Sequence, residues 1–207
     1  SARHPDLVVL ATHGWGPLAR LWEEGVSSHL IRELSIPLLL VPPAGRSAMG
    51  DNWTCRRILV PLDLSGSSRE ILGPAQTLAR LTQSHLTLVH VVEPMPGHGD
   101  PDLSASPGER STVEAAERAR VQKRLDREAD RLREAGFSVA TRVESGGGVA
   151  ATLCDLLEKG CYDLIALTTH GRGGVREERL GSVADRVIRS ASKPVLVVRP
   201  GARGDAH

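Results

Sequence analysis

Residues 163–200, DLIALTTHGRGGVREERLGSVADRVIRSASKPVLVVRP, constrain this chain more than any other stretch, because they prescribe strand, glycine-rich loop, helix and strand in succession. DLIAL is a short apolar run of the kind that a parallel sheet buries on both faces. Residues 168–181 then carry four glycines and no hydrophobic period. From Ser182 onward, Val183, Val187, Ile188 and Ala191 recur at helical spacing. Lys193-Pro194 stops that helix, and Val195-Leu196-Val197-Val198 is a second strand of the buried type. A glycine loop that delivers the chain onto a helix N-terminus between parallel strands gathers backbone N–H groups where the helix dipole is positive. Gly181-Ser182 adds a hydroxyl at that point. The arrangement suits an anion and leaves open which one.

The same stretch occurs twice. A shift of 157 positions lays residues 6–43 over 163–200 without a gap, and 15 of the 38 positions are identical, including His13/His170, Gly14/Gly171 and Pro37/Pro194. This is an internal repeat. Gly181-Ser182 corresponds to Glu24-Gly25, and a carboxylate there repels phosphate, so the second copy is the one expected to hold an anion. Residues 6–42 are too few to build a core alone, which predicts that they are the tail of a domain whose front is missing. Residues 44–55 read as a linker, 56–200 as a complete domain and 201–207 as a tail.

With 26 Lys+Arg against 25 Asp+Glu, the chain has no polybasic footprint for nucleic acid or anionic lipid. No apolar run approaches the roughly 20 residues of a membrane-spanning helix. Residues 1–5 show no secretory apolar region, and the three cysteines are unevenly spaced without a Cys-x-x-Cys. The expectation is a cytoplasmic protein with reduced thiols. Cys154 falls on a predicted buried helix face as a small apolar filler.

Within the complete domain, RILVPLD (57–63) begins with a buried-type strand that places Asp63 at its C-terminal end. Ser67-x-x-Glu70 fits a capping box, and Gly73-Pro74 predicts a kink or delay in the helix that follows. Residues 86–92 form the second strand, and 94–109, rich in Pro and Gly, form a surface loop. His98, Asp100 and Asp102 in that loop have no fixed spacing and are not read as a metal site. Residues 111–135 read as a helix with Val113, Ala116, Val121, Leu125, Ala129 and Leu132 inward, ended by a left-handed Gly136. A strand at 137–144, a helix through Glu158 and the 163–200 unit complete the order. The expected fold class is α/β: a doubly wound five-stranded parallel sheet with helices on both faces, plus an N-terminal strand–helix–strand fragment of a second such domain.

The strand ending Pro61-Leu62-Asp63, the strand Leu88-Val89-His90-Val91, and Thr169-His170-Gly171 followed by Gly181-Ser182 together resemble the universal stress proteins. The resemblance covers 55–200 along its whole length, and 6–43 resemble the C-terminal part of a second such domain, as in a tandem member. It implies an ATP-binding regulatory or signalling module of the stress response, not an enzyme, with ATP bound alone or with magnesium. The family's G-x2-G-x9-G-[ST] pattern maps onto Thr168, Gly171, Gly181 and Ser182, with Thr168 in place of the first glycine. The resemblance also implies Pro61 and Asp63 beside the adenosine, Val91 beside the adenine, and Val183 following the phosphate-binding Ser182. Leu62 stands where binders commonly carry a small polar residue. It further implies strand pairing between 38–41 and 195–198, expected to be antiparallel within one chain; because the first copy has no first strand, residues 6–10 are left with a bare inner edge and apolar face, and a homo-oligomer is expected to cover them.

Each of these residues has a structural alternative. Ser182 serves equally as an N-cap and Asp63 as a cap for the Ser65 helix, while the loop glycines serve the turn and Arg172, Arg176 and Arg179 solvate it. His170 lacks a Ser or Cys nucleophile placed beside it by spacing, and the repeat keeps His13, so a structural role is expected. Two other functions stay open: a nucleotide-free interaction module of the same fold, and a slow ATPase. Gly181→Glu is expected to abolish ATP affinity without altering stability, and a chain lacking 1–43 is expected to associate less strongly.

Overall fold

The computed structural model describes residues 5–11, 36–42, 53–93, 107–170 (side chains of 107–111 excepted) and 180–201. The strands are β1 (Val8–Ala11), β2 (Leu38–Val41), β3 (Arg57–Pro61), β4 (His85–Val92), β5 (Val139–Ser145), β6 (Leu164–Thr168) and β7 (Val195–Val198). Between them run the helices α1 (Gly66–Arg69), α2 (Leu72–Thr82), α3 (Pro107–Glu134), α4 (Val149–Lys159) and α5 (Ser182–Ser190). The seven strands among the described residues join one sheet in the order β1-β2-β7-β6-β3-β4-β5. The five strands from β3 to β7 are parallel, as their alternation with helices requires. Ile58, Leu59 and Val60 on β3 and Leu164, Ile165 and Ala166 on β6 are fully buried, because helices cover both faces. One face packs α2 and α3 through Ile71, Ala75, Leu125 and Ala129; the other packs α4 and α5 through Leu153, Leu157, Ala184 and Val187.

β2 extends the sheet by pairing antiparallel with β7, in the register Leu38↔Val197, Leu39↔Leu196 and Leu40↔Val195. Leu39 and Leu196 are equivalent positions of the repeat, so a local two-fold passes through that pair. The repeat also sets identical registers in its two copies: Val8 lies opposite Leu38 as Ile165 lies opposite Val195. The expected pairing of 38–41 with 195–198 is therefore present within one chain.

Local chemistry accounts for the element ends. Gly136, at φ +86, closes α3: its N–H donates to the Arg133 carbonyl and the Phe137 N–H to the Leu132 carbonyl. The predicted delay takes the form of a break just before Gly73-Pro74: α1 stops after Arg69 and α2 begins at Leu72. Pro74 thereby falls in the first turn of α2, where its missing N–H is not needed. The capping box is corrected. Ser65, not Ser67, is the N-cap, its hydroxyl accepting from the Ser68 N–H at 3.1 Å, while Glu70 accepts from the Gly201 N–H at 2.7 Å.

Two further expectations fail. α3 begins at Pro107 rather than 111, and Val113 (55% exposed) and Ala116 lie outside the core, which α3 enters only from Val121 onward. Trp53 and Cys55, read as the end of the linker, pack onto the core, and the Ser84 hydroxyl donates to the Cys55 carbonyl at 2.7 Å. The outer strand β5 is shielded by α3, whose Arg133 and Arg118 donate to the Val139 and Val143 carbonyls. Among the described residues no helix is long and apolar enough to cross a membrane.

Candidate functional site

Because β3, β4, β6 and β7 are parallel, their C-terminal ends lie along one edge of the sheet. The chain leaves β3 towards β4 on one side and returns as β6 on the other, so the crevice of this doubly wound sheet opens between β3 and β6. Pro61 ends β3, Asp63 follows it, Val91 lies near the end of β4, and Thr168 ends β6. Gly181, Ser182 and Val183 open α5 beside them. Val91, Leu167 and Ala184 belong to one apolar cluster on the α4–α5 face of the sheet. Seven of the eight residues singled out from sequence thus belong to one edge of the sheet. The eighth, Gly171, lies outside the described residues, as do Arg172, Arg176, Arg179, His98, Asp100, Asp102, His13 and Glu24.

The base of the 170–180 segment is pinned by backbone. The Thr169 N–H donates to the Val198 carbonyl at 2.8 Å, and the Gly181 N–H donates to the Thr169 carbonyl at 2.9 Å. A Cβ on Gly181 would stand 2.7 Å from that same Thr169 oxygen, so the close approach of the two backbones demands glycine. Gly181 is the N-cap, without a side-chain capping bond, and Ser182 is the first helical residue. The alternative of Ser182 as N-cap is therefore removed. Ser182 and Val183 are both exposed, and Val183 stands off the buried stripe formed by Ala184, Val187 and Ala191. The Thr168 hydroxyl turns back along the chain and donates to the His170 carbonyl at 2.8 Å.

Asp63 sits in an unusual turn. Leu64 is left-handed at φ +64, a conformation that disfavours a non-glycine residue by roughly 1–2 kcal/mol. Four bonds hold it there. Asp63 Oδ1 accepts from the Ser65 N–H at 2.8 Å, and the Leu62 N–H donates to the Val89 carbonyl at 2.8 Å. The His90 Nδ1–H donates to the Leu62 carbonyl at 2.6 Å, and Arg124 Nη2 donates to the Leu64 carbonyl at 3.0 Å. Leu64 itself is buried, which offsets part of the strain. Arg69, at the end of α1, pairs with the buried carboxylate of Glu128 at 3.0 Å and fixes α1 against α3.

Sequence reasoning missed Leu64, Arg124 and the hydrogen-bonding role of His90. A signal existed for His90, a polar ring inside the otherwise apolar run LVHVV. None existed for Leu64, where a glycine would have announced the turn. His170 Nδ1 shares a hydrogen bond of 2.9 Å with the Thr169 hydroxyl. Burial pushes the Cys55 and Cys154 thiols up, so neither is poised as a thiolate nucleophile; Cys154 is half-buried rather than enclosed. Among the described residues no group of three His, Cys, Asp or Glu stands together to hold a metal ion.

The model of the universal stress protein family matches residues 54–199. A universal stress protein of Methanocaldococcus jannaschii is 30% identical over 144 residues, which are 70% of this chain and 82% of that protein. One of Mycobacterium tuberculosis is 28% identical over 198 residues, 96% of this chain but only 60% of the relative's length. Among solved structures, the Lactobacillus plantarum universal stress protein has a TM-score of 0.61 at 24% identity, covering 72% of this chain and all of its own. A universal stress protein in complex with cAMP has a TM-score of 0.51 at 21% identity, over 72% of this chain and 100% of that one. An Arabidopsis thaliana member with AMP bound has a TM-score of 0.51 at 16% identity, over 71% and 93%.

Proposed function

The chain belongs to the universal stress protein family, and on that premise we propose that its 56–200 unit binds an adenine nucleotide, ATP alone or with magnesium, as a regulatory signal in the cytoplasmic stress response. Pro61 and Asp63 take the adenosine and Val91 the adenine. Thr168, Gly171, Gly181, Ser182 and Val183 take the phosphates. The observation that carries this reading is the backbone junction of Gly181 with Thr169, which puts the first turn of α5 at the switch point of the sheet. That cAMP and AMP are bound by two structural relatives supports the same class of ligand. The role is a regulatory module rather than an enzyme.

Calorimetric titration with ATP and magnesium tests the proposal, with saturable heat expected. Ser182 is exposed, so Ser182→Glu is expected to leave the fold intact while a carboxylate opposes the phosphates and weakens binding about tenfold or more. A folded protein that releases no heat at millimolar ATP would overturn it. A second reading, a nucleotide-free interaction module, is favoured by Thr168, whose hydroxyl serves the loop's own backbone. The same titration decides between the two.

We also propose that residues 1–43 are the C-terminal part of a first domain of the same kind. The shared register of the two copies and the local two-fold at Leu39–Leu196 support it, as does the greater length of the M. tuberculosis relative. Leu7 and Val9 are apolar and exposed, Val9 at 58%, and we propose a homo-oligomer through this surface. Deleting 1–43 would also bare β7, so Val9→Glu is the cleaner variant. It is expected to shift a dimer or larger species to a monomer by light scattering, and a monomeric parent chain would refute the assembly.

A further inference from the structure

The turn at Leu62–Ser65 is held by two side chains that come from different elements and reach the carbonyls of Leu62 and Leu64, on either side of Asp63. His90, from β4, is buried and donates to Leu62; Arg124, from α3, is half-buried and donates to Leu64, 60 residues away in sequence. A carbonyl accepts only, so the His90 bond fixes the proton on Nδ1. Neither contact is required to build α1, whose first turn is already capped by Ser65. The two contacts flank the left-handed Leu64. Gln83 and Cys161 are left-handed too, but each ends a helix, whereas Leu64 lies between a strand end and a helix start, and such backbone clusters at ligand sites.

We propose that Arg124 and His90 are positioning residues for Asp63: they clamp the Leu62–Ser65 turn so that the carboxylate is pre-aimed at the hydroxyls of a bound ribose. This rests on the nucleotide-binding reading above and adds to it the residues that set discrimination for the sugar. Asp63 Oδ1 accepts from the Ser65 N–H, which ties the carboxylate to the clamped turn. Without the Arg124 contact, the left-handed Leu64 loses one of its restraints, and the Ser65 bond that ties the carboxylate to the turn weakens. The phosphate-side residues on α5 are untouched by this change, so binding weakens only by the share that the ribose contributes.

The test compares affinities for ATP and for its 2′-deoxy and 3′-deoxy analogues, in the parent chain and in Arg124→Met, Arg124→Lys and His90→Phe. A hydrogen bond to a charged carboxylate predicts that the parent prefers ATP over at least one deoxy analogue by about tenfold or more. Arg124→Met is expected to bring that ratio towards unity while the deoxy analogue binds as before. Arg124→Lys, which restores a donor, is expected to recover much of the preference, and His90→Phe to lose it in part. A purely structural Arg124 would lower the thermal midpoint and leave the ratio unchanged, and that result overturns the proposal. A parent chain that binds ATP and both deoxy analogues equally overturns it too, by removing Asp63 from the sugar. A parent chain that binds no nucleotide sinks the parent reading instead, and leaves the clamp to be judged by exchange of the Ser65 amide. Faster exchange in Arg124→Met supports the clamp, and unchanged exchange removes it.

Discussion

Gly181→Glu is expected to lose both stability and nucleotide binding. The sequence alone predicts only the second effect, from the charge that Glu24 carries at the equivalent place in the first copy. The structure corrects this, because any Cβ at Gly181 would stand 2.7 Å from the Thr169 carbonyl oxygen, which is backbone and cannot swing aside. The Gly181 N–H bond to that same oxygen must stretch as the two backbone segments part. Overpacking of this kind destabilises by about 1–3 kcal/mol, which for a domain of this size lowers the thermal midpoint by roughly 3–10 °C. Gly181→Ala separates the two causes, since it shares the steric conflict and lacks the carboxylate. Both variants are expected to melt lower without ligand, and the glutamate is expected to bind ATP more weakly than the alanine. An unchanged midpoint in Gly181→Glu would mean that Thr169 and Gly181 do not make the close approach described.

Leu40→Asp is expected to undock β1 and β2 while leaving the rest of the sheet folded. Leu40 is 2% exposed, lies opposite Val195 in the antiparallel seam, and packs with Leu38 against the α4–α5 face. Losing a buried leucine removes about 2–3 kcal/mol, and an unpaired carboxylate in its place adds a desolvation penalty of several kcal/mol more. A seam of three register pairs does not withstand that. Limited proteolysis is expected to remove the N-terminal segment and leave a resistant fragment spanning 53–201. The apolar, uncharged edge of β7 then stands open, so the variant is expected to associate at high concentration. Protection of 36–42 equal to that of the parent would contradict the seam, and cooperative loss of the whole fold would show that 53–201 does not stand alone.

The sequence by itself determined the parallel α/β sheet, because the buried strands are continuous apolar runs and the helices carry a 3.6-residue stripe. The β2–β7 pairing was legible through the resemblance, since universal stress proteins pair through their last strand and the repeat puts two such uncharged strands, LLLV and VLVV, in this chain. Glycines were legible wherever a local rule governs them, as at Gly136, whose left-handed φ closes α3. The site's strand ends were legible for the same reason, since Asp63 and Thr168 follow apolar runs whose direction the alternation with helices fixes.

Tertiary structure alone decided what depends on contacts between elements far apart in the chain. Ser65 displaced Ser67 as the cap because Asp63 bends the chain two residues earlier. Val113 and Ala116 fit the helical period, yet lie exposed because α3 begins before it reaches the sheet. The requirement for glycine at 181 comes from Thr169, and the carbonyls of the Leu62–Ser65 turn find His90 and Arg124 on other elements. No periodicity records such partners, since a hydrogen bond to a distant carbonyl leaves no pattern along the chain that supplies it.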